Sequence, residues 1–160
     1  MTASFVVPAY SQRDAYEAED KIQRSLRTAQ RAYDNLELER SERAVADGIQ
    51  LIKRFGTSSR QSERLAAQVY IQRGILAFVK DQNRADALRD FQKALSYDSG
   101  ARLDEMVETP SLRRLFEDAR RDGSRARNDG RDRSGRDRGR ARDRGGRGDD
   151  SRPPPAPHLG

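Results

Sequence analysis

Thirteen arginines fall between positions 120 and 152, most of them within RNDGRDRSGRDRGRARDRGGRGDD at residues 127–150. They are the densest set of chemically capable side chains in the chain. A guanidinium presents its donors as a planar fork that matches a phosphate and stacks on a base. Arg131, Arg133, Arg136, Arg138, Arg140, Arg142, Arg144 and Arg147 are therefore candidate contacts to RNA or DNA. Two features of the same tract limit that chemistry. Seven aspartates interleave with the arginines, and each Arg-Asp neighbour competes with phosphate for the same donors. The tract also has no Phe, Tyr or Trp on which a base could stack. If all the net charge contacted duplex DNA, a slope of about −0.9 per contact would cost roughly a thousandfold in affinity between 50 and 200 mM salt. The tract predicts either weak, sequence-independent polyanion binding or a solvated tail.

Other reactive groups are sparse. The one histidine, His158, stands two residues before the last in PPPAPHLG, where no packed scaffold can hold it against a nucleophile or a metal. Cysteine is absent, which removes thiolate and disulfide chemistry. No glycine-rich phosphate loop and no metal-ligand spacing occurs. The acidic cluster Asp104, Glu105 and Glu108 reads as a polar connector. Arg147, Gly148 and Asp149 spell a tripeptide that any Arg/Gly/Asp tract produces, and Pro154 to Pro157 reads as a stiff extended spacer. The sequence thus predicts no enzyme, no catalytic residue, no metal and no cofactor.

Charge partition separates the tract from what precedes it. Residues 1–119 hold 19 basic and 19 acidic side chains, whereas residues 120–152 hold 13 arginines against 7 aspartates, so the net charge of +6 lies wholly in the tail. From Arg120 until Leu159 there is no Val, Leu, Ile, Met or aromatic side chain. Nothing there can be buried to offset about 1–2 kcal/mol per residue of backbone ordering. The predicted organisation is one helical domain over residues 13–121 and a disordered tail over 122–160. Residues 1–12, MTASFVVPAYSQ, read as a flexible N-terminus or as the remnant of a targeting signal. Their apolar run is shorter than a signal core of roughly 7–15 residues, and no basic residue precedes it. As written, the chain reads as cytoplasmic; a basic segment upstream of Met1 would make it exported, to a periplasm for example. No apolar run approaches the roughly 20 residues of a membrane span.

The domain reads as all-α. Ala15, Ile22, Leu26, Ala29, Tyr33 and Leu36 recur at the spacing of one helical stripe. Asp34 and Asn35 offer a turn, and a second stripe of Leu38, Val45, Ile49, Ile52 and Phe55 ends at Gly56, a C-terminal cap. After the loop GTSSRQS, the segment from Glu63 to Lys80 is apolar on several sides, as in a helix sandwiched between neighbours. The turn KDQN leads to RADALRDFQKALSYD, with Ala87, Leu88, Phe91, Ala94 and Leu95 on one face. A fifth helix opens with Thr109 as N-cap and Pro110 at its first position, and carries Leu112, Leu115, Phe116 and Ala119.

The run YIQRGILAFVKDQNRADALRDFQKALSYD resembles a tetratricopeptide repeat, with Tyr70 and Gly74 at the first-helix positions and Ala87, Phe91, Ala94 and Leu95 in the second-helix pattern. AQRAYDNLELERSERAVADGIQLI is similar to another such hairpin, with Ala32 and Ala44 at the small positions. The arrangement resembles bacterial proteins that place this unit ahead of a low-complexity region and are often exported. Ala44 and Ala87 lie 43 positions apart, against about 34 in the family. Two hairpins also fall short of the roughly three that a free-standing array needs, so the fifth helix caps the open edge or the domain self-associates.

The resemblance implies an adaptor or scaffold whose first helices line a concave groove for a protein or peptide partner. By position, Leu26, Ala29 and Tyr33 fall on that wall, as do Gln68, Ile71, Ile75 and Phe78. In one reading Tyr33, Gln68, Ile71 and Ile75 contact the partner. In the other, Leu112, Leu115 and Phe116 cover Ile71 and Ile75 as core, and Tyr33 and Gln68 stay available.

Overall fold

The computed structural model describes residues 12–105 and 107–124. The expectations for the N-terminal segment before residue 12 and for the arginine tail after residue 124 lie outside these described residues. Four helices follow one another as α1 (Gln12–Asp34), α2 (Leu38–Phe55), α3 (Arg60–Val79) and α4 (Arg84–Tyr97). A fifth, α5, covers residues 110–124. There is no strand among the described residues, and the all-α class read from the periodicity is the one observed: two antiparallel hairpins and a closing helix.

The helix ends follow from local chemistry. Gly56 stops α2 at φ 72°, its N–H bonding the Ile52 carbonyl at 2.8 Å. Thr109 Oγ1 accepts from the Leu112 N–H at 3.3 Å, and Pro110 opens α5. Two ends differ from the periodicity. α3 begins at Arg60 rather than Glu63, because Ser59 and Ser62 cap each other: Ser62 N–H donates to Ser59 Oγ at 3.0 Å, and Ser59 N–H to Ser62 Oγ at 2.9 Å. α1 stops at Asp34, so Leu36 leaves its stripe. Glu37 N–H bonds the Ala32 carbonyl at 2.8 Å and Leu36 N–H bonds the Tyr33 carbonyl at 2.9 Å. This is a Schellman closure with Leu36 in the left-handed position, at φ 62°, and 83 % exposed.

The two hairpins close by different means. Between α1 and α2 the contact is small and polar: Ser41 Oγ donates to the Ala29 carbonyl at 2.8 Å, and Ser25 Oγ donates to the Ala44 carbonyl. Ala29, Ala32 and Ser41 are buried, so the backbones approach closely. Between α3 and α4 the contact is aromatic. Phe91 is fully buried against Gly74, where an added Cβ would lie 2.6 Å from Phe91 Cε1. Tyr70 stacks on Tyr97 with centroids 5.7 Å apart, and the buried Asp90 accepts from the Arg73 guanidinium, at 2.8 Å from Nε.

α3 is buried on most of its circumference, through Leu65, Ala66, Val69, Tyr70, Ile71, Ile75 and Leu76, as its unpatterned apolar content predicts. α5 completes the core. Phe116 meets Phe91 edge to face at 5.3 Å, and Leu112, Leu115, Phe116 and Ala119 are all buried with Ile71 and Ile75 in one cluster. The outward face of α5 is charged, so the helix closes the domain on that side.

Gly74→Ala is expected to destabilise the domain by about 1–3 kcal/mol through overpacking against Phe91. The sign is informative, since alanine alone would favour a helix interior by about 1 kcal/mol. Urea unfolding followed by circular dichroism decides it, and a gain in stability would mean that Phe91 has room to move. Ending the chain after Glu108 removes two Leu and one Phe from the core, each contributing roughly 1.5–3 kcal/mol. That sum rivals a typical total stability of about 5–15 kcal/mol. Loss of a cooperative thermal transition is expected, and an unchanged melting temperature would refute the packed fifth helix.

Candidate partner-binding site

Three chain segments converge where α1 and α3 end and α5 begins. α1 contributes Tyr33 from its last turn, and α3 contributes Phe78 and Val79. Gln82 from the α3–α4 turn, Val107 from the connector, and Thr109 and Leu112 at the start of α5 complete the border. They enclose an open cavity of about 420 Å³. Leu112 is 1 % exposed and forms its floor, Tyr33, Phe78 and Val107 are half-buried walls, and Val79 is 43 % exposed at the rim.

The chemistry of this hollow is apolar with two polar handles. Burial, followed by the neighbouring Asp34 carboxylate, raises the Tyr33 phenol above its ordinary value, so at neutral pH it remains an O–H donor. The Gln82 amide can both donate and accept. Leu36 follows Tyr33 by one turn and projects into solvent. Three large hydrophobic residues are exposed among the described residues, Tyr16, Leu36 and Val79. Two of the three belong to this end of the domain. Scattered exposed apolar residues are ordinary, and of the three only Val79 borders the cavity.

A second hollow of about 300 Å³ lies between α2 and α3. Its apolar members Val45, Ile49 and Leu76 are nearly fully buried, and its rim is bridged by the Lys80–Glu42 ion pair at 2.5 Å. Ala46 and Ala77 add accessible apolar surface to it, and it is smaller than the first hollow. Gln72, buried in α3 with an amide nitrogen that finds no acceptor among the described residues, borders neither hollow.

Of the residues singled out from sequence, Tyr33 and Phe78 line the cavity. Gln68 is exposed but lies apart from it. Ile71 and Ile75 are 7 % and 2 % exposed and share the core with Leu112, Leu115 and Phe116, so they present no surface to a partner in this fold. Leu26 and Ala29 are core as well. The eight tail arginines from Arg131 to Arg147 lie outside the described residues. Sequence reasoning missed Leu36, Val79, Gln82 and Val107 as site residues. Leu36 reads as a member of the α1 stripe despite the Asp34-Asn35 turn signal before it, and nothing local marks Val107, which is brought in by the connector.

In the acidic connector, Arg113 bonds the Glu108 carboxylate and holds it below its ordinary value. No group of three or more His, Cys, Asp or Glu gathers at a metal-binding spacing among the described residues. None of their helices is long and apolar enough to cross a membrane. Comparison of the chain with known protein families, with curated proteins and with solved structures returns no match.

Proposed function

We propose that the helical domain is a non-catalytic interaction module, of tetratricopeptide-like type, that receives an apolar segment of a protein partner. The observation that carries this reading is the cavity at the converging ends of α1, α3 and α5, open and apolar, with Val79 exposed at its rim. The hairpin pattern around Gly74 and Phe91 supports the assignment to that type. In this reading Tyr33, Phe78 and Val79 grip an aliphatic or aromatic anchor, while the Tyr33 hydroxyl and the Gln82 amide bond the backbone beside it.

Val79→Asp puts a carboxylate on the rim of the hollow at a position already open to water. The domain is expected to keep its melting temperature within a few degrees, because exposed substitutions usually change stability by less than about 0.5 kcal/mol. Partner affinity is expected to drop about tenfold or more, equivalent to about 1.4 kcal/mol. Quantitative capture with full-length wild type and Val79→Asp measures it; equal affinity for both would place the partner elsewhere.

A second reading follows from the charge partition, since the whole net charge lies in residues 120–152. The arginine tail then binds RNA or DNA weakly and without sequence preference. Titration of labelled RNA into the full chain and into a chain ending at Ser124 separates the two readings. Affinity is expected to vanish with the tail and to fall roughly a thousandfold from 50 to 200 mM salt. RNA affinity that survives removal of the tail would refute its role.

A further inference from the structure

We propose that the outward face of α1 is a docking strip for single-stranded RNA, on which Arg27 and Arg31 contact phosphates and Tyr16 stacks on a base. The proposal rests on the second reading, in which the arginine tail holds RNA. It assigns to the helical domain the one contact that the tail cannot make, since the tract at 127–150 has no aromatic side chain.

Helix geometry sets the strip. At about 3.6 residues per turn, positions 16, 20, 24, 27 and 31 fall within an arc of about 80°. Ala18, Ile22, Leu26 and Ala29 are buried on the opposite side of the helix, so the arc faces water. Tyr16 is 71 % exposed there, and Arg24, Arg27 and Arg31 are exposed with it. From Tyr16 to Arg31 the strip is about 22 Å long.

Charge is segregated along this helix. Asp14, Glu17, Glu19 and Asp20 precede Lys21, and from Lys21 to Tyr33 there are four basic residues and no acidic one. Lys21 and Arg24 pair with Glu17 and Asp20, whereas Arg27 and Arg31 form no ion pair among the described residues. Arg24, Arg27 and Arg31 follow one another at three and four positions, where like charges repel and weaken a helix. The helix dipole accounts for Arg31 alone, because its field fades within the last turn. A phosphate between two guanidinium groups turns that repulsion into attraction.

Tyr16 supplies what arginine does not. It is the one exposed large hydrophobic residue, among the described residues, that lies away from the cavity end of the domain. Every base offers a face to such a ring, so the contact suits binding without sequence preference. A single ring is too little apolar surface to hold a helix in a bilayer, which favours a nucleic acid over a lipid surface as the polyanion.

Fluorescence anisotropy of the full chain with a labelled oligouridylate of about 15 nucleotides is the test. Replacing Arg27 and Arg31 together by Gln is expected to weaken binding about tenfold at about 100 mM salt. The slope of log affinity against log salt should shrink by about 1.4, two contacts at about 0.7 each on a single strand. Tyr16→Ala is expected to cost about tenfold as well, Tyr16→Phe to retain affinity, and the loss to disappear when the oligonucleotide is annealed to its complement. These positions are exposed, so the variants should melt within a few degrees of wild type. Arg60→Gln with Arg64→Gln removes the same charge from exposed positions of α3 and should cost less than about threefold.

Equal losses from the α1 and α3 pairs would mean that net charge alone acts, and would overturn the strip. So would a Tyr16→Ala chain that binds like wild type. In both cases, affinity that still vanishes when the chain ends at Ser124 leaves the tail reading standing. A full chain with no affinity for RNA overturns both. Variants of α1 that keep RNA but no longer sediment with phosphatidylserine vesicles would put a membrane surface in the place of RNA.

Discussion

The second half of the fold depends on a side chain that is not there. Phe91 packs onto α3 where residue 74 is glycine, and a Cβ there would lie 2.6 Å from Phe91 Cε1, so any larger residue would force the ring or the helices to shift. Phe91 also meets Phe116 of α5 edge to face, so one ring joins three helices. A helix-interior glycine weakens the helix by about 1 kcal/mol relative to alanine. The close approach that it permits buries an aromatic side chain completely, a larger gain of roughly 1.5–3 kcal/mol.

The first hairpin solves the same problem without an aromatic side chain. Ser25 and Ser41 each reach across to a carbonyl of the opposite helix, and alanines fill the seam. Hydroxyls so placed satisfy themselves in a buried contact that would otherwise strand polar atoms. α3 serves as the wall for both hairpins: Val69 packs near Ser25 and Gly48 on one side, and Gly74 meets Phe91 on the other. That double duty explains why its apolar residues follow no single stripe. A helix buried on most of its circumference draws its stability from its neighbours rather than from itself.

Much of this was legible from residue types. Gly56, Thr109 and Pro110 mark helix ends because each has one backbone role that few residues share, and all three sit where expected. The stripes of α2 and α5 also read directly. Leu36 did not, since its spacing from Tyr33 fits a helical stripe equally well, and only the long-range decision to stop at Asp34 turns it outward. Among the hydroxyls of TSSRQS, the sequence offers several caps; the reciprocal Ser59–Ser62 pair prevails and lengthens α3 by one turn. The cavity was half legible. Tyr33 and Phe78 carried a recognisable pattern, but the burial of Ile71 and Ile75 depends on where a connector of a dozen residues delivers α5.

That connector has a kinetic meaning. Each hairpin is joined by a turn of three or four residues, so its contacts are local and form with little loop entropy. Part of the surface that receives Phe116 is the Phe91 ring seated at Gly74, so α5 packs on a face that the α3–α4 hairpin builds. During synthesis the two hairpins emerge before the helix that seals them. Until it arrives, Phe91 and its neighbours are open to any chaperone or nascent chain that recognises apolar surface.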